Sequence, residues 1–285
     1  MKKKILALVI LVVVIGLVSF VLLRKGPEVE TLVEPKVNGP VYQVVGNSVE
    51  GRKIEAYTYG AGDSELLFIG GIHGGYEWNS VLLAYRFMDY LDQNTDLIPT
   101  NLRVTIIPAL NPDGLFKVVG KEGVFSIADV PSEAETFVGR FNANNVDLNR
   151  NFDCRWQKDS IWRNQKVSAG TEIFSEPEAK VLRDFVLKNK PEAVVFWHSQ
   201  ANTVYASGCS GEVLPETTKI MNLYAKASGY NSSETFDAYT VTGDAGDWVS
   251  SIGIPAITVE LQTHQSIEWD KNLKGIKTLI DHYQN

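Results

Sequence analysis

Residues 65–77 read ELLFIGGIHGGYE. The first seven place four consecutive apolar side chains before a pair of glycines. A strand covered on both faces reads as this kind of run, without alternation. The glycines then turn the chain into WNSVLLAYRFMDYLDQ, whose apolar positions recur at helical spacing, so a helix is expected over 77–93. A histidine and a glutamate sit inside the turn.

The same grammar repeats along the chain. Further strands are expected at KIEAYTYG (53–60), LRVTIIPAL (102–110), EAVVFWHS (192–199), NTVYAS (202–207) and PAITVEL (255–261). Further helices are expected at 175–189, 215–228 and 269–283, with Ser175 as the cap of the first and a proline and acids in its opening turn. NPDG (111–114) reads as a turn. Strands alternating with helices imply an α/β fold: one domain over 41–285, with a mixed, mostly parallel sheet flanked by helices. In such sheets functional groups collect just beyond the carboxyl ends of strands. His73, the NPDG turn, His198 and Glu260 all fall there.

The composition is that of a globular protein, 44% hydrophobic and 21% charged. The formal net charge is −7, unevenly spread. Residues 1–25 carry Lys2, Lys3, Lys4, Arg24 and Lys25 and no acid, which leaves 22 basic against 34 acidic side chains in the remainder. A body of that charge repels nucleic acid, so no nucleic-acid partner is expected. No protein partner is evident either.

Residues 5–23 (ILALVILVVVIGLVSFVLL) are 19 residues without a charge, longer than the apolar core of a secretory signal and lacking a small-residue cleavage pattern. The expectation is an N-terminal transmembrane signal-anchor over 1–25, followed by an extended linker over 26–40. The basic residues ahead of the run favour an extracytoplasmic body. A cleaved signal peptide is the alternative, and it places the body outside as well. There a disulfide between Cys154 and Cys209 is permitted, two separate buried thiols being the other reading.

Among four histidines, His282 lies in a polar helix at the chain end and reads as solvated surface, while His264 follows the Glu260 strand as a supporting residue. His73 and His198 remain as the pair at strand ends. With Glu77 they make a donor set of two imidazoles and one carboxylate, which fits a catalytic zinc site with an open position. Taken alone, a histidine and a glutamate in a glycine-rich turn are a weak signal.

Several short segments in order strengthen it. LNPDG (110–114), VDLNRNFD (146–153), HSQ (198–200) and TVEL (258–261) resemble the signature segments of the zinc metallocarboxypeptidases, a family that includes carboxypeptidase A and bacterial murein-peptide carboxypeptidases. The resemblance runs from GNSVEGRKI (46–54) to the Glu260 strand. It implies one zinc ion held by His73, Glu77 and His198, with Glu260 as general base. Asn149 and Arg150 would grip the substrate's terminal carboxylate, and Tyr239 would close over it. The sequence departs from the family in three ways. The family's spacing is H-x-x-E, whereas Tyr76 stands where the acid is expected and Glu77 follows one residue later; either the glycine-rich turn absorbs the extra residue or the site is damaged. The arginine that stabilises the oxyanion has no unambiguous match, Arg140 being the best candidate. TGDAGDW (242–248) occupies the specificity region, where Asp244 either meets a basic or diamino terminal residue beside Gly246 or caps a short helix over 244–251.

The expected activity is that of a metallocarboxypeptidase outside the cytoplasm, with membrane attachment through the N-terminal helix and cell-wall peptides as one source of substrate. An amidase or deacylase on the same scaffold, acting on γ-linked murein peptides or acylated amino acids, is the alternative, and a non-catalytic binding module is a third.

Overall fold

The apolar runs at Ser64–Ile69, Ala193–Ser199 and Ala256–Leu261 become adjacent parallel strands, and the rest of the fold is arranged on them. The computed structural model describes residues 39–284, so the expected transmembrane segment and all but the end of the linker lie outside the described residues. Among the described residues no helix is long and apolar enough to cross a membrane.

The strands are β1 (Val41–Asn47), β2 (Lys53–Gly60), β3 (Ser64–Ile69), β4 (Leu102–Ile107), β5 (Asp159–Trp162), β6 (Gln165–Ser168), β7 (Ala193–Ser199), β8 (Thr203–Ala206), β9 (Asn231–Ser233) and β10 (Ala256–Leu261). Eight of them form one sheet in the order β1-β2-β4-β3-β7-β10-β8-β9, and β5 and β6 form a separate hairpin. The central strands β4, β3, β7 and β10 are parallel. Antiparallel pairs flank them, β1 and β2 on one side and β8 on the other.

Alternate residues of each central strand serve opposite faces, as the two-residue period requires. Leu66, Phe68, Val195, Trp197, Ile257 and Val259 pack beneath helices Trp78–Gln93, Pro215–Ser228 and Trp269–His282. Leu67, Ile69, Val194, Phe196 and Ala256 pack beneath helices Pro177–Asn189 and Ala245–Ser251. The unbroken apolar runs are explained: neither face is left to solvent.

Several expectations need correction. NPDG is not an isolated turn but opens helix Pro112–Val119, with the Asn111 side chain accepting from Gly114 N at 2.9 Å. Asparagine as cap with proline at the first helical position is a start signal that the sequence carried. Ser175 is not the cap of helix Pro177–Asn189. That position falls to Glu176, while Ser175 Oγ donates to Glu176 Oε1 and accepts from Asn151. His282 is not free surface but pairs with Glu216. Edge strand β1 also went unforeseen, because its largely exposed side chains follow no apolar period.

Cys154 and Cys209 are joined by a disulfide with Cα atoms 5.8 Å apart, closing a loop of sequence separation 55. Constraining a loop of that length in the unfolded chain stabilises the fold by about 4 kcal/mol in the chain-entropy account. We expect reduction, or Cys209→Ser, to lower Tm by on the order of 10 °C. Calorimetry with and without reductant checks this, and an unchanged Tm refutes it.

Candidate active site

His73 lies four residues beyond the end of β3, His198 is the penultimate residue of β7, and Glu260 stands opposite His198 in the β10–β7 register. Three neighbouring parallel strands therefore deliver these groups to one rim.

The turn after β3 answers the spacing question. Residues Gly74–Glu77 form a single 3-10 turn, with His73 at its start and helix Trp78–Gln93 beginning immediately after Glu77. That turn takes up the extra residue and still sets Glu77 beside the histidines. Gly74 makes it possible: its φ is +46°, and an added Cβ would meet Gly139 O at 2.7 Å.

One ligand atom from each of His73, Glu77 and His198 lies within 4.8 Å of the others, and all three residues are buried. Glu77 Oε2 is 3.0 Å from His198 Nδ1 and accepts from Ser199 N at 3.2 Å. Glu77 Oε1 is 3.8 Å from Arg140 Nη1. His73 Nδ1 is buried with no hydrogen bond, 3.5 Å from Asp147 Oδ1. Asp147 Oδ2 also accepts from Arg140 Nε (3.1 Å) and Nη2 (2.8 Å), so the arginine is held through two of its own N–H groups and has Nη1 toward Glu77.

The electrostatics divide the two histidines. Burial, with the positive charges of Arg140 and Arg150 and the neighbouring His198, holds His73 well below its usual range, which leaves its ring neutral. For His198 burial acts downward, but the charge and hydrogen bond of Glu77 outweigh it and the net shift is up. Burial, then the nearby Glu77 carboxylate, pushes Glu260 up to about 7 against the opposing pull of His198 and Arg140. Two imidazoles and a carboxylate, gathered and buried, are a donor set that fits zinc.

Arg150 follows the 3-10 turn's Asn149 and is fully buried. Its Nη1 donates to Asn149 O at 2.7 Å and its Nε has no partner. Among the described residues no carboxylate forms an ion pair with it, although it lines the cavity. The Asn149 side chain is largely spent: Nδ2 donates to Asp244 Oδ2 at 2.7 Å, and Oδ1 accepts from Ala245 N at 2.9 Å. Asp244 caps helix Ala245–Ser251, its Oδ1 accepting from Asp247 N, as the second of the two readings had it, and the same side chain lines the cavity. At Gly246 an added Cβ would crowd Ser207, 2.4 Å from its Oγ and 3.2 Å from its Cβ. Tyr239 is half-buried in the segment before that helix, 4.9 Å from the Phe236 ring.

All nine side chains singled out for metal, catalysis or substrate line one cavity of about 1410 Å³. Tyr76, Arg155, Trp162, Arg163 and Asp247 line it too and were not foreseen. Asp247 shared the GDAGDW segment with Asp244 and was open to detection there. Trp162 reaches the cavity only because the β5–β6 hairpin folds over it, which no local pattern announces. His264 stays one layer behind, its Nδ1 2.8 Å from Ser199 Oγ.

The chain is similar to several known proteins. The chain is 25% identical over 243 residues to gamma-D-glutamyl-L-diamino acid endopeptidase 1 of Lysinibacillus sphaericus, covering 76% of this chain and 59% of that one. It is 27% identical over 182 residues to the human carboxypeptidase N catalytic chain, covering 59% and 36%. It thus spans less than two thirds of either relative. The crystal structure of murein-tripeptide amidase MpaA from Escherichia coli O157 has the same fold, with a TM-score of 0.64 at 21% identity over 85% of this chain and 92% of that one. A family match over residues 40–277 takes in every residue of the cavity, and the chain belongs to the zinc carboxypeptidase family of single-zinc peptide hydrolases.

Proposed function

We propose that the protein is a zinc exopeptidase that acts at the free carboxyl end of peptides outside the cytoplasm. The observation that carries this reading is Arg150. A buried guanidinium without a carboxylate partner is costly. A substrate carboxylate entering the cavity would supply the missing charge in the planar geometry that a guanidinium matches best. The main chain of an internal peptide segment has no such group to offer.

In this reading His73, Glu77 and His198 hold the zinc, which when bound acidifies water and polarises a carbonyl. Glu260 takes the proton from the attacking water and returns it to the leaving nitrogen, and a carboxylate near neutrality is matched to both transfers. Arg140, fixed by Asp147 with Nη1 3.8 Å from Glu77, stabilises the oxygen that gains charge. Tyr239 covers the bound end.

Asp244 and Asp247 suggest which end is preferred. Burial and the charge of Asp244 push Asp247 up to about 7, and among the described residues the basic group paired with it is the exposed Arg155, 3.6 Å away. Two adjoining carboxylates in a cavity wall favour a terminal residue that carries a side-chain ammonium, such as a diamino acid. Wall-derived peptides supply such residues. The apolar run at 5–23 and the disulfide support an extracytoplasmic location, with membrane attachment through that run. Similarity to a gamma-D-glutamyl-L-diamino acid endopeptidase favours a second reading, in which the bond cut is γ-linked and the terminal residue is the same.

Three outcomes test the reading. Glu260→Gln should retain stoichiometric zinc and lose about 10²–10⁴-fold in kcat on a free-carboxylate peptide; retained turnover would remove Glu260 from the proton path. Glu77→Ala should lose zinc on dialysis against a chelator that leaves the parent loaded, as measured by elemental analysis. Arg150→Ala should lose about 10–100-fold in kcat/KM on free-carboxylate peptides and little on their C-terminal amides, since a charge-assisted bond is worth about 1.5–3 kcal/mol. Equal losses on both would show that Arg150 does not read the chain end.

A further inference from the structure

Asn79 is the second residue of helix Trp78–Gln93, two positions past Glu77, and is completely buried. An amide shut off from water needs protein partners for its polar atoms. Nδ2 donates to Thr263 O at 2.7 Å and to Ser266 O at 3.0 Å, both in the segment that follows β10. Carbonyls only accept, so these two contacts fix the orientation of the amide and leave Oδ1 as its acceptor. Oδ1 accepts from Ser199 Oγ at 2.9 Å.

Ser199 ends β7, next to His198. Its hydroxyl has one hydrogen, and that hydrogen goes to Asn79. The Nδ1 of buried His264, 2.8 Å from the same hydroxyl oxygen, must then carry the hydrogen of its contact and donate it. Donation therefore runs from His264 to Ser199 to Asn79, and from Asn79 to the two carbonyls. The backbone N–H of the same serine donates to Glu77 Oε2 at 3.2 Å. One asparagine thus joins the helix that starts at Glu77, the end of the strand that carries His198, and the segment that follows Glu260.

Other contacts hold each of these parts by itself. Glu77 O accepts from Ser80 Oγ at 2.7 Å, and Ser80 Oγ accepts from Gly71 N at 3.0 Å. Ala201 N and Asn202 N donate to Leu261 O at 3.1 and 3.2 Å. The metal turn and the end of β10 are therefore anchored without Asn79. What the amide adds is the setting of one against the other.

Resting on the reading of Glu77 as a metal ligand and Glu260 as the proton carrier, we propose that Asn79 is a positioning residue. Through Ser199 it holds the Glu77 carboxylate, and through the two carbonyls it holds the strand end that delivers Glu260. Loss of a group that orients a metal ligand costs about 10–100-fold in metal affinity. Misplacement of a proton carrier lowers kcat and leaves substrate binding alone.

The test uses the full chain as Asn79→Ala and as Ser199→Ala, which removes only the central hydroxyl. Zinc affinity is measured by competition with a chromophoric chelator, and kcat and KM at saturating zinc. We expect Asn79→Ala to hold zinc about 10–100-fold less tightly and to lose about tenfold in kcat, with KM within about twofold of the parent. Ser199→Ala should weaken zinc by about tenfold and lower kcat less, since the link from Asn79 to the carbonyls remains. A lowered Tm with parental zinc affinity and kcat overturns the proposal, because Asn79 would then serve packing alone. A loss confined to KM overturns it too. If Asn79→Ala does not fold, parental zinc affinity in Ser199→Ala is the overturning result. A parent that binds zinc tightly but cuts no free-carboxylate peptide defeats the exopeptidase reading instead, and the zinc affinities still judge Asn79.

Discussion

Glu77 is the contact on which the site's geometry depends. Its two oxygens meet His198 Nδ1, Ser199 N and, more distantly, Arg140, so a residue on the turn after β3 is tied to the end of β7 and to the segment around Arg140. A buried carboxylate is costly without partners. Here it has partners from two separate parts of the chain, which fixes their mutual position. The sheet carries the same constraint from below. Parallel pairing of β3, β7 and β10 sets the strand ends within reach, and the 3-10 turn supplies the remaining displacement.

The two buried arginines of the cavity differ in their partners. Arg140 is neutralised within the protein by Asp147 and stacked on Trp162. Its position is settled before any ligand arrives, as preorganised stabilisation requires. Arg150 has a backbone contact but, among the described residues, no acid paired with it. Its Nε is buried without a hydrogen-bond partner, and the residue lines the cavity. Asn149 divides its amide between Asp244 and the start of helix Ala245–Ser251, so the segment that presents Arg150 is locked to the opposite wall.

Much of this was legible in the chain because its physics is local. Continuous apolar runs mark strands buried on both faces, and LLFI, AVVFW and AITV became the central parallel strands. The strand ends then pointed to His73, His198 and Glu260. What stayed hidden depends on packing between distant segments. β1 is exposed and lacks a period, and the hairpin that brings Trp162 over the cavity is short and mostly polar. Helix Pro112–Val119 was missed for a different reason: a proline-containing turn signal and a helix-start signal share the same residues.

The one-residue shift before Glu77 bears on how such sites are read at all. Spacing along a chain constrains ligand positions only through the local backbone, and a tight turn changes the direction in which a residue emerges. With His73 at the head of a 3-10 turn, three residues lie between it and Glu77 in sequence while the donor atoms stay within 4.8 Å. The displaced residue had to go somewhere, and burial decided where. Tyr76 turned away from the metal ligands into contact with Trp162, Phe137 and His264. An insertion that looks like damage in the motif thus becomes an aromatic wall beside it, because the glycine at 74 absorbs the backbone and the aromatic cluster absorbs the side chain.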